Sequence, residues 1–247
     1  ASEWEDIRNF KTTEIKEKEG VDIILGKIKT EMFKLTDKTY ESQKNNIIEI
    51  LTEVDKSISL DINDKNKIIN LIFNIASTNL FYSKVYAKIY NELNNIFNLV
   101  NDNFRDNINN FLLKLKKLNI KFDKDDYDKL CDVNKENDNR IATVIFFVNL
   151  MNEKLIEEKV IVKLILELQD YLIELLNKEN EKEKVEHMSD ILSEIIKNSY
   201  LKLNNNTNWN KITENVNKIK NLNISENCSL TNKSIFIHMD IYDIIKN

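Results

Sequence analysis

The chain contains no proline and only two glycines, Gly20 and Gly26, both close to its N-terminal end. Proline costs roughly 3 kcal/mol inside a helix and glycine about 1 kcal/mol, so two of the strongest helix breakers are almost missing. Strands joined by tight turns would need glycine at positive φ, which excludes a hairpin-rich fold. The two cysteines, Cys131 and Cys228, are far apart and build no disulfide framework. Their composition suits a reducing compartment, and a cytoplasmic location is expected. No window offers the ~18 charge-free apolar residues of a membrane span. The opening Ala-Ser-Glu-Trp is acidic and does not read as a signal peptide. Charge of one sign is lacking too: 36 basic residues face 41 acidic ones, interspersed, with a net charge of −5. Such mixing suits solvated helix faces and excludes a uniformly basic nucleic-acid sleeve.

What is present is helical periodicity. Ile68, Ile69, Ile72, Ile75 and Ala76 form one stripe. Ile161, Leu164, Ile165, Leu168, Leu172, Leu175 and Leu176 form another, and Val160, Val162, Leu166 and Ile173 extend it around the helix, so this segment is expected to be buried nearly all round. Val185, Met188, Leu192, Ile195, Ile196 and Leu203 form a third. Polar clusters at Asp55–Asp64, Asn98–Asn103, Asp132–Asn139, Lys178–Lys184 and Asn204–Asn208 punctuate the stripes. The spacing predicts an all-α chain of about ten helices in five pairs, near 21–56, 60–98, 102–152, 155–203 and 207–247. Pairs of this length match the HEAT-type period and favour a single crescent-shaped α-solenoid domain over 21–247. A globular bundle is the rival, and residues 1–20 read as an N-terminal arm.

Two segments carry mixed signals. Ile141–Val148 is β-branched enough for a strand, yet Ile141, Val144, Ile145 and Val148 share one helical face. In the tail, Ile235, Ile237, Met239 and Ile241 alternate with period two, a strand pattern. Context makes both helical.

Sites for chemistry are few. His187 and His238 stand alone, without a zinc-ligand pattern, and read as imidazoles at a helix surface or boundary. Asp123, Asp125, Asp126 and Asp128 suggest a calcium loop, but Asp128 and Asn134 occupy the positions that need Gly and Glu. No glycine-rich phosphate cradle is possible. The chain therefore reads as a non-enzyme without cofactor or metal. Lys114, Lys116, Lys117 and Lys121 form the best local candidate for phosphate contact, although dense lysines also simply favour a helix C-terminus.

Four ordered stretches resemble the middle domain of eukaryotic initiation factor 4G. They are Trp4 with Ile28–Tyr40; Ile69–Ala76 with Phe81–Ala87; Asn103–Arg105 with Arg140 and Ile145–Val148; and Ser229–Asp243. The resemblance implies five HEAT repeats and a translation-initiation scaffold that binds a DEAD-box helicase of the initiation factor 4A type, stimulates its ATPase and contacts mRNA. It implies that Trp4, Met32, Leu35 and Tyr40 meet the helicase's C-terminal lobe, and Lys233, Asp240 and Asp243 its N-terminal lobe. Met32 and Leu35 could equally pack the first hairpin. The chain departs from the family where Ile235 replaces an arginine, where the closing arginine falls at Ile245 or its neighbour Lys246, and where Thr143 replaces glycine. A cap-binding protein would be reached only through segments outside this domain. Related middle domains of nonsense-mediated decay or nuclear cap-binding type, or a generic HEAT adaptor, are the alternatives. The excess of Asn, Lys and Ile points to an AT-rich genome, such as a protist's or a large DNA virus's.

Overall fold

The computed structural model describes residues 20–100, 102–118 and 127–246. Eleven α-helices run through them: α1 Val21–Phe33, α2 Tyr40–Lys56, α3 Ile62–Ser77, α4 Ser83–Phe97, α5 Asp102–Asn109, α6 Phe111–Lys116, α7 Tyr127–Asn152, α8 Glu158–Leu176, α9 Lys182–Leu203, α10 Trp209–Lys220 and α11 Asn232–Lys246. A single 3-10 turn, Ile224–Glu226, precedes α11. The fold is all-α, as the shortage of breakers requires. The expected ten helices become eleven because the first helix of the third pair divides at Asn110.

First helices of successive pairs stack on one another, α1 on α3, α3 on α5, α6 on α8 and α8 on α10. Second helices do the same, α2 on α4, α4 on α7, α7 on α9 and α9 on α11. The substantial helix contacts among the described residues lie within a pair or between adjacent pairs. That one-dimensional order is a helical-repeat solenoid rather than a globular bundle.

The turns replace glycine with other means. Asp61 caps α3, its carboxylate accepting from the Asp64 N–H at 2.8 Å. Asn98, Lys154 and Asn180 take left-handed φ values of 50°, 66° and 61°. After α7, Leu155 N–H reaches the Leu150 carbonyl (2.9 Å) and Lys154 N–H that of Met151 (3.0 Å), a Schellman closure around a lysine.

Packing explains both mixed segments. In α7, Val144, Phe146, Phe147 and Val148 are all buried, because neighbours lie on several sides of the helix. In α11 the buried set is Ser234, His238, Ile241 and Ile245, a helical spacing that the alternating isoleucines conceal. The reading of His187 and His238 as surface or boundary residues is corrected: they are 4% and 0% exposed. α8 is buried over most of its circumference, as its wide stripe predicts, while Lys163, Glu167, Asp170 and Glu174 keep one face exposed and Val160, Leu166 and Ile173 are half-buried. An aromatic cluster joins the second and third pairs, where Phe73 meets Phe104 at 5.8 Å and Phe146 at 6.1 Å between centroids.

Polar bonds also cross every junction between pairs. Tyr86 Oη donates to the Met32 carbonyl (2.6 Å), and Asn149 Nδ2 to Ser83 Oγ (2.9 Å). Lys202 Nζ reaches the Met151 carbonyl (3.0 Å), and Asn215 Nδ2 donates to the side-chain Oε1 of Gln169 (3.0 Å). The fully buried Ser229 accepts from the Glu181 N–H at 3.0 Å and donates to the Lys178 carbonyl, tying the approach to α11 onto the α8–α9 turn.

Candidate partner-binding surface

The first pair does not present the expected anchors. Met32 and Leu35 are 0% exposed and Tyr40 is 6% exposed. A side chain without accessible surface cannot fill a partner's pocket, so their assignment as helicase contacts is corrected: all three pack the first pair and its junction. Tyr40 Oη donates to Glu92 Oε1 at 2.9 Å, and Lys44 lies 3.0 Å from Glu92. Burial pushes the Tyr40 phenol up, and Glu92 adds to it. Burial also raises the Glu92 carboxyl, but hydrogen bonds from Lys44 and Tyr40 outweigh it and hold the group below its ordinary range. The large apolar residues this pair does expose are Ile23, 46% open, and Phe33, 60% open, with Lys29 Nζ 5.8 Å from the Phe33 ring centre. Trp4 lies outside the described residues.

The last helix presents its expected residues to solvent. Lys233, Asp240 and Asp243 are exposed on α11, beside Phe236 and Met239, which are also exposed. Lys233 is partly engaged, its ammonium 3.0 Å from Asp190 and 3.9 Å from Glu186 on α9. Ile235 packs against the core and Ile245 is buried, whereas Lys246 is exposed.

Between α7, α9 and α11 runs a groove of about 520 Å³ lined by Asp138, Glu183, Glu186, His187, Asp190 and Lys233. The His187 imidazole is pushed down to about 4, first by burial and then by the positive charges of Arg140 and Lys233. Glu183, Glu186, His187 and Asp190 recur at one-face helical spacing, the signal of this groove that the sequence carries.

The basic run is divided. Lys121 lies outside the described residues. Lys114 donates to Asn107 Oδ1 at 3.4 Å, Lys116 stands 5.2 Å from the Tyr171 ring centre, and Lys117 caps the end of α6. Lys114 shares a cavity of about 310 Å³ with Arg140 and Thr143. Arg140 donates to Asn137 Oδ1 at 2.8 Å, and burial lowers its pKa from the usual guanidinium value. Thr143 turns its hydroxyl back to the Asn139 carbonyl at 2.8 Å and stays helical.

Asp123, Asp125 and Asp126 lie outside the described residues. Among the described residues, no three His, Cys, Asp or Glu side chains are placed to hold a metal ion. No described helix is long and apolar enough to cross a membrane. No protein-family model matches the chain, and no curated protein matches its sequence.

Proposed function

We propose that the chain is a translation-initiation scaffold that grips a DEAD-box helicase of the initiation factor 4A type. The observation that carries this reading is α11, whose exposed Lys233, Asp240 and Asp243 occupy the positions that the family resemblance gives to the contact with the helicase's N-terminal lobe. A stacked rod of helix pairs can favour one separation of two helicase lobes only by binding that separation better than others, and a rigid series of junctions is suited to that. Trp4 is the remaining proposed contact for the C-terminal lobe. Contact with mRNA is assigned to Lys114, Lys116 and Lys117.

Titration calorimetry with a purified 4A-type helicase tests the binding. Micromolar or tighter association that weakens about tenfold or more in Asp240→Lys/Asp243→Lys and in Trp4→Ala, with unchanged melting temperatures, supports the proposal. Absence of heat at any concentration up to about 100 μM, where ΔG of binding is about −5.5 kcal/mol, rejects it. Changing Lys114, Lys116 and Lys117 to Glu tests the RNA contact, since a salt-sensitive mobility shift should disappear.

Burial of Met32, Leu35 and Tyr40 favours a second reading, a helical-repeat adaptor whose partner is not a 4A-type helicase. The same calorimetry separates the two readings.

A further inference from the structure

The groove between α7, α9 and α11 has four carboxylates, Asp138, Glu183, Glu186 and Asp190, against one ammonium, Lys233. Two helices supply the acids: Asp138 comes from α7 and the other three from α9. Lys233 reaches over from α11 to Asp190 and Glu186, so the chain already shows that this acidic pair seats a cationic side chain. His187 lines the same groove at 4% exposure, and its Nε2 has no hydrogen-bond partner in the protein. Alongside, α11 exposes Phe236 to 62% and Met239 to 43%, an apolar strip bordered by Asp240 and Asp243.

These features narrow the occupant. The groove volume, about 520 Å³, accommodates several side chains rather than a single ion. A metal lacks a converging ligand set among the described residues. A nucleic-acid backbone would meet like charge. We infer that the α7–α9–α11 groove binds a basic polypeptide segment whose arginine or lysine side chains take the place of Lys233 and pair with the acids of α7 and α9, while an adjacent apolar residue packs on Phe236 and Met239. Charge complementarity of this kind sets partner choice and association rate. The groove shares Lys233 and the exposed strip of α11 with the proposed helicase contact, and the peptide measurement below, made without a helicase, is read independently of that proposal.

Fluorescence anisotropy of the full chain with a fluorescein-labelled peptide of repeated Arg-Leu-Ser units tests it, with melting curves confirming that each variant folds. Asp138→Asn/Glu183→Gln leaves the Lys233 pairs intact and should weaken the peptide about fivefold to tenfold, as loss of two partly exposed ion pairs predicts. Phe236→Ala should weaken it by a similar factor. Lys233→Gln should act in the opposite direction, tightening binding about threefold by releasing Asp190 and Glu186. Glu49→Gln/Glu53→Gln on α2 is the control and should change nothing. Equal losses in the groove and control variants would reveal general charge attraction and overturn the inference. So would weaker binding in Lys233→Gln, no binding at all, or preference for a labelled uridine oligonucleotide over the peptide with the same loss in the groove variants.

Discussion

The phenol of Tyr86 donates to the backbone carbonyl of Met32 at 2.6 Å, so α4 of the second pair closes the C-terminal end of α1 in the first. Both residues are buried. Tyr86→Phe removes this bond and the hydrogen bond of the same hydroxyl with the Asn79 side chain, and should destabilise the protein by about 1 to 2 kcal/mol in urea unfolding. The loss should not be larger, because the Met32 carbonyl keeps the Leu35 N–H at 3.2 Å.

Lys154 occupies the left-handed position after α7 at φ 66°, a conformation that costs a side-chain-bearing residue roughly 1 kcal/mol relative to glycine. Lys154→Gly should therefore stabilise the folded chain by up to about 1 kcal/mol, less the extra entropy of glycine in the unfolded state. A raised melting temperature is the expected result. This prediction follows from the scarcity of glycine itself: one of its turns is made by a residue that fits it poorly.

The buried imidazoles should make stability depend on pH. Burial pushes His187 and His238 down to about 4 from 6.5; Arg140 and Lys233 add to the shift at His187, and the Ser234 carbonyl opposes it at His238. Between those values the unfolded chain binds protons that the folded chain refuses. Their contribution is thus complete above about pH 6.5 and is lost as pH falls toward 4, by at most about 1.4 kcal/mol per pH unit for each histidine. Urea denaturation across this range should show the slope, and His187→Gln/His238→Gln should flatten it.

Periodicity and polar punctuation were sufficient to locate the pairs, because each hairpin buries one stripe and exposes a turn. The break at Asn110 was not legible, since asparagine also lies inside α4 at Asn94 and inside α8's neighbour α9 at Asn198. The burial of His238 was hidden for a related reason: its Nδ1 bonds the Ser234 carbonyl one turn back at 2.8 Å, a local bond that lets a polar ring enter the core. For the site, residue type was a poor guide in α1 and a better one in α11. Met32 and Leu35 have the chemistry of a partner anchor and of a core residue alike, and only packing distinguishes them. Asp240 and Asp243 are charged, so exposure was the expected outcome. The one-face spacing of Glu183, Glu186, His187 and Asp190 marks an acidic stripe on α9, but Asp138 and Lys233 join it only through the packing of α7 and α11, which the sequence does not display.

RNA-dependent ATP hydrolysis by a purified 4A-type helicase, with and without this chain, is the decisive measurement. A scaffold that holds the lobes near their productive spacing should raise the turnover rate several-fold at micromolar concentration, and Asp240→Lys/Asp243→Lys should remove the increase. An unchanged rate with the native chain, under conditions where the helicase alone is active, would contradict the proposed role.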